Sequence, residues 1–298
     1  MRFLFACLLA LIASPAMSQP PNIPPEVLAA ARRTVVMTLP GMDQAQVTRN
    51  LRYSDRAEPH LAMDVYRPAG LKAGERRGAV IFIHGGVPPG APAKEMGAFV
   101  SYGRLMAAQG LVGVTFTHRL GFPQTNLAAG GADVASAIAH VRAHAAELNV
   151  DPDRLCLAAY SAGGPMLAPY LREAPDYVRC LVAFYPILDV EGSDVHRAAE
   201  TAETLAAWSP LQQVGRPGRK APLYLARAGA DEIPQLLAGL DGFVAEAVKR
   251  DYPLTLANNP GAPHSFDITE PTPRTLEILQ ETFVFVRRHL DAPPAGPR

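Results

Sequence analysis

Residues 155–164, LCLAAYSAGG, join an unbroken apolar run to a stretch of small residues, and this junction decides the fold. The run 155–159 predicts a strand buried on both faces, and residues 162–172 predict a helix. Ser161 stands at the turn between the two, where small neighbours let strand and helix approach closely. That placement predicts a nucleophilic serine whose hydroxyl projects above the sheet, with the N–H of Ala162 beside it. From this stretch alone, the alternative interpretation of a tight turn that holds a buried serine stays open.

Strands and helices alternate on both sides of this junction. Helical spacing of apolar residues predicts helices near 94–109, 134–148, 236–247 and 276–286. Interleaved strands and helices predict an α/β protein with about eight strands, mostly parallel, and helices on both faces of the sheet. Segment 189–220 is the longest departure from the alternation, and a small cap is possible there. The predicted strands are 51–54, 61–66, 80–83, 111–116, 155–159, 181–185, 223–226 and 254–257.

A glycine pair follows the buried strand 80–83, in the sequence His84-Gly85-Gly86. Glycines leave the backbone free to direct N–H groups at a developing negative charge. We therefore expect Gly85, Gly86 and Ala162 to form an oxyanion hole. An ordinary β-turn is the alternative interpretation. His84 is expected to brace this loop rather than to transfer protons.

The general base is predicted to be His264, which lies in a loop after the last strand. An imidazole at a strand end can take the serine proton and return it near neutral pH. Of the other histidines, His118 also ends a predicted strand and is the only serious rival. His140 and His144 fall four residues apart in a helix and are interpreted as surface residues.

The acid is predicted to be Asp231, which follows strand 223–226. It precedes His264 by enough chain for one helix and one strand. The resulting order of serine, acid and histidine is the order found in hydrolases with a nucleophile at a strand-to-helix turn. Asp189 and Glu232 remain competing acids, and Asp267 is considered too close to His264 in sequence.

Short motifs in a fixed order give the chain a resemblance to the α/β-hydrolase superfamily, near the carboxylesterases and the feruloyl-esterase-like (BD-FAE-like) hydrolases. Residues 63–68 (MDVYRP) resemble the family's LDVYRP strand, and 82–86 (FIHGG) resemble its oxyanion loop. The motifs 151–154 (DPDR), 161–164 (SAGG), 185–186 (YP), 208–210 (WSP), 229–231 (GAD) and 264–266 (HSF) continue the series. The resemblance spans about residues 50–290. It implies the roles given above for Ser161, Asp231 and His264, and for Gly85, Gly86 and Ala162.

Two departures from the family pattern lie around the nucleophile and the oxyanion loop. Ala159 stands where the family has the first glycine of the turn, and Val87 stands where it has a third glycine. Pro88 and Pro89 replace the usual aromatic stretch, so the wall of the acyl site is expected to be unusual. We expect Val87, Tyr160 and His118 to line the substrate pocket.

The composition excludes several classes of partner. Lys plus Arg and Asp plus Glu number 28 each, so no overall field favours nucleic acid. The 298 residues are 48% hydrophobic and 19% charged, which suits a globular protein with a large core. We expect no metal and no cofactor, and a small-molecule ester as substrate. Cys156 and Cys180 are expected to be free thiols in the core.

The amino terminus resembles a secretory signal peptide. Arg2 precedes an apolar run over 3–12, and small residues at 16 and 18 predict cleavage before Gln19. The chain is thus expected to divide into a signal peptide at 1–18, an extension at 19–47, the hydrolase domain at 48–291 and a disordered tail at 292–298. We expect export to the periplasm or medium, with no stable membrane association after cleavage.

The sequence therefore predicts an exported serine hydrolase that cleaves carboxylic esters through an acyl-enzyme. Two alternatives remain. One is a serine peptidase of the prolyl oligopeptidase type, which shares the order of the three residues. The other is a noncatalytic binding module on the same fold, because a fold does not fix a function.

Overall fold

The computed structural model describes residues 31–291 except 57, 59, 73, 123 and 234, and a single eight-stranded sheet forms its centre. The strand order is β1-β2-β4-β3-β5-β6-β7-β8. β1 and β2 run antiparallel to their neighbours, whereas the pairs from β4 through β8 are parallel. The strands are β1 (Gln46–Arg52), β2 (Ala62–Arg67), β3 (Arg77–Ile83), β4 (Val112–Phe116), β5 (Val150–Tyr160), β6 (Val178–Phe184), β7 (Leu223–Ala228) and β8 (Leu254–Asn259).

The predicted mostly parallel sheet of about eight strands is confirmed, and only the first strand is misplaced. It was predicted at 51–54 but occupies Gln46–Arg52, so it begins inside the predicted extension 19–47. The register shifts between Thr48 and Leu51, and Asn50 has a φ of 57°. This bulge breaks the two-residue alternation of side chains, which is the signal by which a strand is recognised in sequence.

Helices cover both faces of the sheet. One face carries α2, α3 and α7, and the other carries α1, α8 and α9. Successive side chains of β3 divide between these layers, with Ile81 on the first face and Phe82 on the second. The helices are α1 (Gly97–Ala108), α2 (Leu127–Ala143), α3 (Ala168–Arg172), α4 (Asp194–Ala199), α5 (Ala202–Trp208), α6 (Pro210–Gln213), α7 (Leu236–Lys249), α8 (Phe266–Thr269) and α9 (Pro273–Leu290).

The helix predicted over 162–172 forms in two parts. A 3₁₀ segment occupies Ser161–Leu167, and α3 follows it. Pro165 lies inside the first part and has no N–H to donate, and two glycines precede it. These residues weaken a regular α-helix at its start, so the tighter 3₁₀ turn takes its place.

Segment 189–220 contains three short helices, α4 to α6. The Leu127 N–H, at the start of α2, donates to the Glu200 carboxylate at 2.7 Å. Glu200 directly follows α4. At the beginning of α4, the Asp194 N–H donates to the Gln235 side chain at 3.3 Å. α4 therefore connects the loop that follows β7 with the helix that follows β4.

The described part of the chain begins with a segment that packs against the second face. The Val35 N–H donates to the Ser101 hydroxyl, and the Val36 N–H donates to the Asp267 carbonyl. The predicted signal peptide at 1–18 and the predicted tail at 292–298 lie outside the described residues. Among the helices that are described, none has the length and apolar character needed to cross a membrane.

The two predicted core cysteines lie side by side in the sheet. Cys156 of β5 and Cys180 of β6 are register partners, fully buried and free. Burial raises the pKa of the Cys156 thiol well above its usual range. A thiol in this state behaves as a small apolar side chain.

Candidate active site

Ser161 occupies a sharp turn between β5 and the 3₁₀ segment. Its φ is 52°, in the left-handed region that non-glycine residues rarely adopt. A Cβ added at Gly163 would lie 2.6 Å from the His84 carbonyl oxygen, so only glycine lets the turn reach the loop after β3. The Ser161 carbonyl accepts from the Ile187 N–H at 2.9 Å. The loop after β3 on one side and the Ile187 N–H on the other thus hold the turn in place.

The structure brings together Ser161, His264 and Asp231, which come from three separate strand ends. His264 Nδ1 lies 2.6 Å from Asp231 Oδ2, and His264 Nε2 lies 2.8 Å from Ser161 Oγ. Because the carboxylate only accepts, Nδ1 carries the proton and Nε2 accepts from the hydroxyl. The Asp231 side chain is fully buried, and its other oxygen accepts from the Ile233 N–H at 3.0 Å.

The two competing acids, and Asp267, which was set aside, have other partners. Asp189 accepts from the backbone N–H groups of Glu191 and Gly192, as in a turn. Glu232 meets His264 only at its backbone N–H, at 3.4 Å. Asp267 accepts from two tyrosine hydroxyls. Of these four acids, only Asp231 contacts the imidazole of His264.

The loop after β3 lies against the nucleophile. A Cβ added at Gly85 would lie 3.0 Å from Ser161 Cβ and 3.5 Å from its hydroxyl oxygen. Within the described residues, the N–H groups of Gly85 and Gly86 donate to no other protein group. Ala162 stands in the first turn of the 3₁₀ segment, where N–H groups lack partners within the helix. Gly85 thus lies against Ser161, and the N–H groups of Gly85 and Gly86 have no acceptor among the described protein groups.

His84 and His118 form a buried stack beside this loop. Their rings lie 3.5 Å apart with planes 6° from parallel, and both side chains are buried. His84 Nδ1 donates to the Gly85 carbonyl at 2.7 Å, and its Nε2 accepts from the His118 N–H at 3.1 Å. His118 Nε2 donates to the His84 carbonyl at 3.3 Å. His84 thus braces the loop, and His118 does not contact Ser161.

Burial keeps this pair of imidazoles neutral. It lowers the pKa of His84 to about 4. Burial and the neighbouring His84 ring together lower the pKa of His118 well below its usual range. Protonation of the second ring nitrogen of either imidazole would place its N–H against a backbone N–H, which cannot accept a hydrogen bond.

Two of the residues expected to line the substrate pocket, Tyr160 and His118, are buried. Tyr160 is 5% exposed and packs among aromatic rings, with Tyr102 at 5.0 Å and Phe184 at 5.5 Å. Its side chain points to the face opposite that of its strand neighbour Ala159. Val87 is half-buried in the glycine loop and remains a candidate for the pocket wall.

Phe122 was missed by sequence reasoning. It is 38% exposed, and a Cβ added at Gly86 would lie 2.9 Å from its Cβ and Cγ atoms. An apolar ring thus stands over the loop that adjoins the nucleophile. Its signal in the sequence was an aromatic residue following Gly121, in the loop between β4 and α2. In the part of the chain described, no group of three or more His, Cys, Asp or Glu side chains is arranged to hold a metal ion.

Comparison with known families gives two matches. The BD-FAE family model matches residues 63–171. The prolyl oligopeptidase family model matches residues 123–292, which is more than half of the chain. No curated protein matches the chain in sequence.

Solved structures of a thermophilic esterase from the planctomycete Thermogutta terrifontis are similar to this chain. Its native form is 25% identical with a TM-score of 0.65, over 87% of this chain and 97% of the esterase. The apo form of esterase 2 from the same organism is 27% identical with a TM-score of 0.64, over 86% and 98%. That esterase phosphoramylated by tabun is 25% identical with a TM-score of 0.63, over 86% and 98%.

Proposed function

Because this chain belongs to the prolyl oligopeptidase family, within the α/β-hydrolase superfamily, we propose that it is a serine hydrolase that cleaves carboxylic esters. The superfamily and the α/β-hydrolase fold predicted from the motifs are thereby confirmed. We further propose that Ser161 is the nucleophile, His264 the general base and Asp231 the residue that orients the imidazole.

The observation that carries this proposal is the pair of hydrogen bonds made by His264. One ring nitrogen meets the Ser161 hydroxyl at 2.8 Å while the other meets the buried Asp231 carboxylate at 2.6 Å. A continuous chain of hydrogen bonds thus connects the proposed nucleophile, base and orienting acid. This arrangement activates a hydroxyl for attack. The likeness to an esterase along nearly its whole length supports an ester as substrate.

In the proposed reaction, the Ser161 oxygen attacks the ester carbonyl carbon while its proton passes to His264 Nε2. The carbonyl oxygen becomes an oxyanion, which accepts from the N–H groups of Gly85, Gly86 and Ala162. The imidazolium is stabilised by Asp231 and gives its proton to the departing alcohol, leaving an acyl-enzyme. Water then repeats the sequence with His264 as base, releasing the acid and restoring the hydroxyl.

A second candidate, cleavage of peptide bonds, is favoured by the prolyl oligopeptidase match. The three residues and the oxyanion donors serve either bond, since both reactions pass through an oxyanion and an acyl-enzyme. Dipeptide amides assayed beside esters separate the two. We expect a kcat/KM for esters that exceeds that for matched amides, and the reverse ranking would replace the esterase by a peptidase.

The decisive experiment is hydrolysis of short-chain nitrophenyl esters by the mature protein and by Ser161→Ala. We expect kcat to fall by about 10⁶-fold, as for loss of a triad serine. Ser136→Ala is the matched control, because its hydroxyl only donates to the Ala132 carbonyl within α2. A fluorophosphonate probe should label the parent and Ser136→Ala but not Ser161→Ala. Full activity in Ser161→Ala would end the proposal, and absence of both labelling and turnover in the parent would favour a binding module.

We also propose that the protein is exported, on the basis of the signal-like sequence at 1–18. The expected result is a mature chain beginning at Gln19, found by amino-terminal sequencing of protein from the periplasmic or medium fraction. A chain that retains Arg2 in the cytoplasmic fraction would contradict this proposal without affecting the one on hydrolysis.

A further inference from the structure

A second carboxylate lies beneath His264, and the proposed mechanism does not use it. Asp267 follows His264 by three residues and is 1% exposed. Its two oxygens each accept a 2.6 Å hydrogen bond, one from the Tyr102 hydroxyl and one from the Tyr185 hydroxyl. Both tyrosines are themselves buried. Asp267 is therefore held on two sides by O–H donors that reach it from α1 and from the end of β6.

Tyr185 connects this carboxylate to the proposed base. Its ring meets the His264 ring edge to face, with centroids 4.5 Å apart and planes at 60°. The Tyr185 backbone has a φ of 38° and donates its N–H to the Ala226 carbonyl of β7 at 2.8 Å. A residue held in the left-handed region by its surroundings is a rigid support, because its backbone cannot relax without breaking those contacts.

The loop that carries His264 is also fixed through Asp267. Ser265, between the two, has a φ of 60°, and the Asp267 carbonyl accepts from the Val36 N–H at 2.8 Å. Burial raises the pKa of Asp267, and the two tyrosine donors act against that rise because they favour the charged form. Among the described residues, Asp267 forms no ion pair with a lysine or an arginine. Its hydrogen-bonding capacity is thus directed at the two tyrosines.

From these contacts we infer that Asp267 and Tyr185 are positioning residues for the His264 imidazole. The carboxylate fixes the Tyr185 hydroxyl, and the Tyr185 ring then limits rotation of the imidazole away from Ser161 and Asp231. The inference rests on the proposed function, since orientation of His264 matters for turnover only if His264 is the base. Neither residue touches the reacting atoms, so their effect passes entirely through His264.

A comparison of two tyrosine-to-phenylalanine variants tests this inference. Tyr185→Phe removes one hydroxyl from Asp267 and keeps the ring. Tyr224→Phe is the matched control, because Tyr224 is also buried and donates to a carboxylate, Glu281, at 2.7 Å, whereas its ring packs against Phe285. We expect Tyr185→Phe to lower kcat for nitrophenyl esters about tenfold, with KM changed less than twofold. Tyr224→Phe should leave kcat unchanged.

A readout that does not depend on turnover completes the test. The proton between His264 Nδ1 and Asp231 gives a low-field NMR signal, assigned by its loss in Asp231→Asn. We expect this signal to broaden through exchange with water in Tyr185→Phe and in Asp267→Asn, and to stay sharp in Tyr224→Phe. Equal kcat and an equally sharp signal in Tyr185→Phe and the parent would overturn the inference. Should Asp267→Asn not fold, Tyr185→Phe decides alone.

The failure of this inference differs from failure of the proposed function. If Ser161→Ala keeps full ester turnover, the proposed function is wrong whatever the NMR signal shows. If Ser161→Ala is inactive while Tyr185→Phe matches the parent in both readouts, the triad stands and the positioning role falls.

Discussion

Two imidazole environments lie near Ser161, and their contrast separates the proposed base from a pair of histidines that supports a loop. His264 and the His84–His118 pair both follow strands at the same edge of the sheet. His264 keeps 15% of its side chain exposed and has two side-chain partners, a hydroxyl and a carboxylate. His84 and His118 are buried, and their ring nitrogens meet backbone groups. Position at a strand end is therefore insufficient, and the partners of the two ring nitrogens decide the role.

The strongest test of this contrast replaces each histidine. We expect His264→Ala to lower kcat by about 10⁶-fold, because the nucleophile loses its base. His118→Ala should lower the free energy of unfolding but keep kcat within about tenfold of the parent, since the residue supports the loop only indirectly. Steady-state kinetics with nitrophenyl esters measure kcat, and urea titrations measure the free energy of unfolding. A loss in His118→Ala as large as that in His264→Ala would erase the distinction.

The next largest effect concerns the acid behind the base. We expect Asp231→Asn to lower kcat by about 10⁴-fold, because an amide can stabilise the wrong imidazole tautomer and cannot stabilise the imidazolium. Asp189→Asn is the control, since that carboxylate accepts from turn N–H groups and not from His264. Comparable losses in the two variants would mean that Asp231 is not the orienting acid.

A smaller effect is expected in the loop that the buried pair supports. Gly85→Ala would bring a Cβ to 3.0 Å from Ser161 Cβ and 3.1 Å from the Tyr160 carbonyl, so the loop must move. Displacing an oxyanion donor costs about 10²- to 10³-fold in kcat. Gly242→Ala in α7 is the control, because the nearest atom to its added Cβ is 3.8 Å away. Unchanged kcat in Gly85→Ala would remove this loop from the proposed oxyanion hole.

The smallest effect is on stability against pH. The folded protein holds the pKa of His84 at about 4, below its value of 6.5 in the unfolded chain. The unfolded state therefore binds more protons between these values, and stability present above pH 6.5 is lost as the pH falls towards 4. We expect this residue to contribute a loss on the order of 3 kcal/mol over that range.

Urea unfolding between pH 7 and pH 4 measures this loss. In His84→Gln the dependence on pH should be shallower, even if the variant is less stable at pH 7. His60→Gln is the control, because His60 lies partly exposed beside Glu58. An identical slope in the parent and His84→Gln would show that His84 is not a source of acid sensitivity.

The features that could be predicted from the sequence depend on the spacing of apolar residues and on the order of the motifs along the chain. Unbroken apolar runs predicted the central strands, and the order of Ser161, Asp231 and His264 placed each after its own strand. Because the carboxyl ends of parallel strands share one edge, side chains distant in sequence could be expected to meet there. The sequence could not predict the bulge at Asn50, since the alternation of side chains is interrupted at that point.

Side-chain direction at strand ends was also beyond what the sequence could predict. Tyr160 adjoins Ser161 in sequence, but its ring enters the aromatic core because successive residues of a strand point to opposite faces. Asp267 was set aside as the acid for its closeness to His264, and its carboxylate indeed accepts from two tyrosine hydroxyls and not from the imidazole. The direction of the Tyr160 ring and the partners of Asp267 both depend on contacts between distant elements, which the sequence alone does not show.

The backbone at Ser161 has a consequence for how this protein can evolve. A left-handed φ costs an ordinary residue on the order of 1 kcal/mol, and glycine avoids that cost. Selection for stability alone would therefore favour glycine at position 161, whereas selection for turnover by the proposed mechanism would retain the hydroxyl. The two kinds of selection oppose each other at this one position. A library of variants selected only for folding would therefore become enriched in chains that lack the proposed nucleophile.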